Sequence, residues 1–195
     1  MRTIILIVVI AGFIWTMNAC TPAKQETLVV ADAAPSKDSL VKRGAYLVAS
    51  IGCNDCHSPK KMGPKGPYPD PDKMLSGFPS NAPIPVAGDG DIKNGLVVFS
   101  GDLTAAIGPW GTTFAANITS DATGIGSWKE EQFDQALRHG KWKGLDGTRP
   151  IMPPMPWRDF SNLNDADVKA IFYYLKSSKP VNNVVPEFRP AGKGG

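Results

Sequence analysis

Cys53-Asn54-Asp55-Cys56-His57 gathers two thiols and an imidazole within five residues. Thiols separated by two residues can add to the two vinyl groups on one edge of a porphyrin. The residue that follows then falls beneath the iron, where an imidazole can ligate it. This C-x-x-C-H is the attachment sequence for haem c, bound covalently through Cys53 and Cys56 with His57 as an axial iron ligand. Rival chemistries fit less well. A dithiol redox motif belongs beside a βαβ pattern, which this chain lacks. A structural zinc site needs a second Cys/His pair, and the only other cysteine is Cys20. A Cys53–Cys56 disulfide leaves His57 without a purpose.

An electron carrier holds its iron from both faces, so that a change of oxidation state breaks no bond. Methionine sulfur is a common second axial ligand and raises the potential. Met62 and Met74 follow the motif too closely to reach the opposite face. His139, beside Arg138, stands where a cation complements a helix C-terminus. Arg149-Pro150-Ile151-Met152-Pro153-Pro154-Met155-Pro156-Trp157 is the informative stretch. Its prolines predict a stiff, extended path that presents a thioether at little ordering cost. A three-residue repeat puts Met152 and Met155 on one side, so spacing does not choose between them.

Three helices are predicted to position these groups. Leu40, Gly44, Leu47, Val48 and Ile51 recur at helical spacing just before the motif, with Ser36 or Asp38 as cap. Glycine inside a helix costs about 1 kcal/mol against alanine, so Gly44 predicts a close helix crossing, a solvent-facing glycine of no consequence being the other reading. Ser127-Trp128-Lys129-Glu130 reads as a capping box for a second helix with Phe133, Ala136 and Leu137 inward and Gly140 at its end. The third runs from Asn164 through Val168, Ile171, Phe172 and Leu175, and Tyr173 and Tyr174 offer surface for the crossing at Gly44.

Residues 58–116 hold nine of the eighteen prolines. They are expected to wrap the porphyrin edge, with Leu96–Phe99 and Thr112–Ala115 pairing as a small hairpin. A carbonyl of Gly63-Pro64-Lys65-Gly66-Pro67, Pro67 in particular, is the candidate acceptor for the His57 ring N–H. Trp110, Trp128 and Arg149 are candidates to face the haem or bond its propionates, core filling being the other reading of the tryptophans. Lys60, Lys61 and Lys65 read either as a basic rim for an acidic partner or as a solvated loop.

Lys+Arg 21 against Asp+Glu 18, a net charge of +3, is too balanced for a protein that binds nucleic acid by neutralising phosphates. Three cysteines exclude a disulfide-dense scaffold. After Met1-Arg2, an apolar run from Thr3 to Trp15 has the layout of an export signal and is short for a membrane span. Met17-Asn18-Ala19-Cys20 resembles a bacterial lipobox, an uncleaved anchor helix being the alternative. The expected organisation is a lipoprotein signal at 1–19, a lipid-anchored linker at 20–37 beginning with lipidated Cys20, a haem domain at 38–188 and a flexible tail at 189–195.

Cys53–His57, Asn117–Asp121, Gly124–Trp128 and Met155-Pro156-Trp157, with the helix at Asp165–Leu175, resemble the bacterial class I cytochromes c. They are most similar to the haem-c domains in cytochrome subunits of membrane-bound alcohol, aldehyde and gluconate dehydrogenases. The resemblance covers most of 38–188. It implies a mostly α cytochrome c fold with a long Pro/Gly-rich loop, and a Met-Pro-aromatic unit that supplies the axial sulfur, here Met155, with Met152 the alternative. Those subunits often repeat C-x-x-C-H, and one copy here implies one haem. The expected function is single-electron transfer by a membrane-tethered, periplasmic cytochrome between respiratory partners. The alternatives are an electron-accepting subunit of a periplasmic dehydrogenase and a haem enzyme with an open sixth site.

Overall fold

The computed structural model describes residues 34–192. The export signal, Cys20 and most of the expected linker lie outside the described residues. Helix α1 (Lys37–Ser50) starts at Ser36, whose Oγ accepts the Ser39 N–H at 3.2 Å. It leads through the attachment turn α2 (Cys53–His57) into an antiparallel hairpin, β1 (Lys60–Gly63) with β2 (Gly66–Pro69). A short helix α3 (Asp89–Lys93) precedes β3 (Val98–Phe99), β4 (Ala105–Gly108) and β5 (Gly111–Phe114). Helices α4 (Glu130–Leu137), α5 (Trp157–Phe160) and α6 (Asp165–Lys176) follow, and β6 (Arg189–Pro190) completes a sheet of order β3-β4-β5-β6.

Helix α6 is capped by Asn164, whose Oδ1 accepts the Asp167 N–H at 2.8 Å. Its stripe of Val168, Ala170, Ile171, Phe172 and Leu175 is buried against Leu40, Leu47 and Val48 of α1 and Phe133 and Leu137 of α4. Gly44 lies where α1 meets α6. A Cβ built there would stand 2.0 Å from the Ala170 carbonyl oxygen and 2.6 Å from Tyr174 Cβ. The close crossing predicted from that glycine is present.

Four expectations change. Among the described residues the fold is a mixture of helices and two small sheets rather than mostly α. Val98–Phe99 and Thr112–Phe114 do not pair with each other, because β4 lies between them. The α4 cap is Lys129, without a side-chain bond, and not Ser127. Residues 121–127 are consumed by a turn in which Gly126 N–H donates to the Asp121 carbonyl and Trp128 N–H to that of Ile125, so Ser127 cannot open the helix. Regular structure also runs past 188: Arg189 and Pro190 pair with Thr112 and Gly111 where a flexible tail was expected.

The segment before β6 is pinned by Asn183, which is buried. Its Nδ2 donates to the carbonyls of Ser76 at 2.7 Å and Phe78 at 2.9 Å, and its Oδ1 accepts the Ser80 N–H at 2.9 Å. Asn183→Ala strips partners from three backbone groups, each costing about 1–3 kcal/mol when buried and unpaired. The expected loss is roughly 3 kcal/mol, read as a lower urea midpoint at unchanged slope. An unchanged midpoint would show that the segment is not pinned there.

Candidate functional site

Cys53, Cys56 and His57 line one large cavity of about 510 Å³, and Met152 and Met155 line the same cavity. The rest of its wall is mostly apolar: Leu103, Ala105 and Ala106 of the β4 region, Ile125, Phe133 and Leu137, and Ile171 and Leu175 of α6. Such a volume and lining suit a flat organic cofactor. The segment Val184-Val185-Pro186-Glu187-Phe188 supplies a further wall, one that no motif in the chain signals.

The attachment turn begins after Gly52, whose φ of 78° is a left-handed conformation that glycine adopts without cost. Cys53 and Cys56 are free thiols, not a disulfide. Burial pushes the Cys53 thiol up to about 11 and raises that of Cys56 as well. His57 is buried, and its Nδ1 lies 2.7 Å from the Ala116 carbonyl oxygen. A carbonyl only accepts, so Nδ1 carries the proton and Nε2 keeps its lone pair for a metal. Burial holds the imidazole below its ordinary pKa, with the Ala116 bond acting in the opposite sense.

The acceptor is therefore Ala116 and not Pro67. The Gly63–Pro67 stretch folds outward as the β1–β2 hairpin, with Pro67 exposed opposite Met62. Ala116 is brought in by the Leu75–Phe78 segment, which lies between the motif and residues 115–118. Gly77 N–H donates to the His57 carbonyl, Phe78 N–H to that of Ala115, and Ile118 N–H to that of Leu75. Gly77 has φ 74°, and a Cβ there would stand 2.3 Å from the Ala115 oxygen. Only glycine lets the two strands of chain approach so closely.

The methionine segment is fastened along its length. Ile151 N–H donates to the Gly140 carbonyl at 2.7 Å, and Thr113 Oγ1 donates to that of Pro153 at 2.9 Å. It bends at a turn at 153–154, across a cis peptide bond, rather than running on as one extended path. Trp157 packs on Gly140, where a Cβ would stand 2.4 Å from the indole. Met155 packs against the central hydrophobic cluster. Met62 is 79% exposed on β1, and His139 lies at the surface, its Nε2 3.6 Å from Asp134.

Trp128 and Arg149 reach the cavity, and Trp110 does not. Trp142 does, although nothing in its sequence neighbourhood marks it. The Arg149 guanidinium lies 3.8 Å over the Trp142 ring and 5.0 Å from the Phe188 ring. Burial lowers its pKa, and Glu187 acts the other way. Of the lysines read either as a basic rim or as a solvated loop, Lys61 pairs with Asp70 at 2.8 Å, the Lys60 ammonium turns inward to backbone carbonyls, and Lys65 is exposed at the β1–β2 turn.

Two free thiols, a buried imidazole with one nitrogen already engaged, and two thioethers around one apolar cavity form a donor set that fits a covalently attached haem. Comparison with known proteins agrees. The family model for cytochrome c matches residues 41–179. The gluconate 2-dehydrogenase cytochrome c subunit of Pantoea cypripedii is 31% identical over 148 residues, 75% of this chain and 25% of that protein. The fructose dehydrogenase cytochrome subunit of Gluconobacter japonicus is 39% identical over 149 residues, 75% of this chain and 23% of that protein. The quinone-type alcohol dehydrogenase cytochrome c subunit of Gluconacetobacter polyoxogenes is 41% identical over 150 residues, 75% of this chain and 24% of that protein. The chain spans a quarter or less of the length of these relatives.

Proposed function

The chain belongs to the cytochrome c family, and we propose that it is the electron-accepting haem-c component of a periplasmic dehydrogenase complex. Its cofactor is covalent haem c and its role is electron transfer, not catalysis of a substrate's reaction. The relatives named as dehydrogenase cytochrome subunits support this reading over that of a free shuttle between respiratory partners.

Bound haem supplies a one-electron iron couple. Cys53 and Cys56 would hold it through thioethers. His57 Nε2 would be an iron ligand, its ring fixed by the Ala116 carbonyl. Met155 would supply a sulfur ligand, its backbone anchored through Trp157 on Gly140. Arg149, stacked on Trp142 at the cavity wall, offers its N–H groups to a propionate. The apolar walls exclude water, which favours the reduced, less charged state of the site. Cys20 carries the lipid that tethers the domain to a bacterial membrane, on its periplasmic side.

The observation that carries this reading is the convergence of both thiols, His57 and Met155 on one cavity. Gentle detergent extraction of native membranes tests it. The expected product is a complex with a flavin- or quinone-dependent dehydrogenase whose substrate reduces the haem. Intact mass should show one haem and acyl groups at Cys20. Recovery as a free species that no co-purified dehydrogenase reduces would reject the subunit reading.

A further inference from the structure

The attachment turn is one short helical turn, and its final carbonyls have no partner within it. Lys60, three residues after His57, reaches back to them. Its ammonium donates to the carbonyls of Asp55 at 2.6 Å, Ser58 at 2.7 Å and Asn54 at 3.3 Å. It also reaches across the fold to the Asp102 carbonyl at 3.1 Å. Four carbonyls thus converge on one cation, at the negative end of the turn, where a positive charge is favoured.

The far side of this contact is a built loop. Asp102 Oδ1 accepts from Ser100 Oγ at 2.7 Å, Thr104 Oγ1 at 2.8 Å and Thr104 N–H at 3.1 Å. Those bonds set the backbone whose next residues, Leu103 through Ala106, line the cavity. Leu103 is held at φ 64°, a conformation unfavourable for a leucine, and is 43% exposed. Lys60 joins this loop to the attachment turn.

We propose that Lys60 is a positioning residue that closes the Cys56 edge of the haem pocket: its ammonium ties the attachment turn to the Ser100–Thr104 loop, and its fixed charge raises the affinity of the site for an electron. The inference rests on the haem reading of the cavity. A lysine suits the task because its compact ammonium directs three donors at converging carbonyls, whereas arginine offers a planar fork. The charge sits among part-buried carbonyls, where its field is screened less than at a fully exposed site.

The test uses the haem-loaded full chain. Lys60→Met keeps the stem and removes the charge. Its electron affinity should fall about tenfold, 59 mV for a one-electron couple, and the amides of 102–105 should exchange hydrogen at least about tenfold faster. Lys60→Arg should keep the potential within about twofold while the loop exchanges faster, separating charge from tie. Parent-like potential or parent-like exchange in Lys60→Met overturns the proposal. Should that variant fail to load haem, parent-like exchange in Lys60→Arg overturns it. A parent protein without covalent haem by mass would instead reject the haem reading itself.

Discussion

Gly44→Val is expected to abolish stable folding, and Gly44→Ala to lower the melting temperature by roughly 10 °C. The reason is geometric. The first atom any side chain adds would meet the Ala170 carbonyl oxygen at 2.0 Å and the Ala170 carbonyl carbon at 2.6 Å. Both belong to the backbone of α6, so no side-chain rotation relieves the clash. The helices must separate, and the stripe from Val168 to Leu175 loses packing against Leu40, Leu47 and Val48. Overpacking of this kind costs about 3 kcal/mol, a large part of the roughly 5–15 kcal/mol typical of a whole domain. Helix propensity points the other way, since alanine in a helix interior gains about 1 kcal/mol over glycine. Circular dichroism melts of the holoprotein separate the two effects: a melting point for Gly44→Ala at or above the parent's would mean that α1 and α6 do not cross there.

The second large effect concerns the iron's sixth position. Met155→Ala should leave a haem that binds carbon monoxide when reduced, with a potential lowered by at least the roughly 59 mV that tenfold weaker electron affinity represents. Met152→Ala should do neither. Both side chains line the cavity, but only Met155 is among the residues packed on the central cluster, and Trp157 two residues later is seated on Gly140. A sulfur on an anchored backbone needs little further ordering to bind. The opposite pattern, with carbon monoxide bound by Met152→Ala alone, would move the axial role to Met152.

Much of the site is legible in the residues themselves because its chemistry depends on side chains at short spacing. C-x-x-C-H declares two thiols and an imidazole. Asn164 and Ser36 declare their helices through caps, and Gly44 points to a crossing because a close helix approach would offset its cost. The parts that escape are carried by backbone or by weakly patterned residues. Ala116 acts through its carbonyl, which every residue type possesses, and it arrives through the conformation of Gly77 rather than through any motif of its own. Strand β4 reads Ala-Ala-Ile-Gly, with neither alternation nor β-branched enrichment, so its neighbours look as though they pair directly. The capping-box pattern at Ser127 fails because Gly126, packed 2.3 Å from the Ser120 oxygen as judged by an added Cβ, belongs to a preceding turn. Asn183 is a polar residue in a loop-like sequence, and only the three-dimensional arrangement shows that its amide serves Ser76, Phe78 and Ser80.

The meeting of α1 with α6 also orders events in time. The two contacting stretches are well over a hundred residues apart along the chain, and closure of so long a span precedes any reward from burial. During synthesis, Cys53 and Cys56 emerge far ahead of the helix that completes their enclosure. Until that helix docks, the cavity wall supplied by Ile171 and Leu175 is missing, and both sulfurs stay accessible for attachment of the haem.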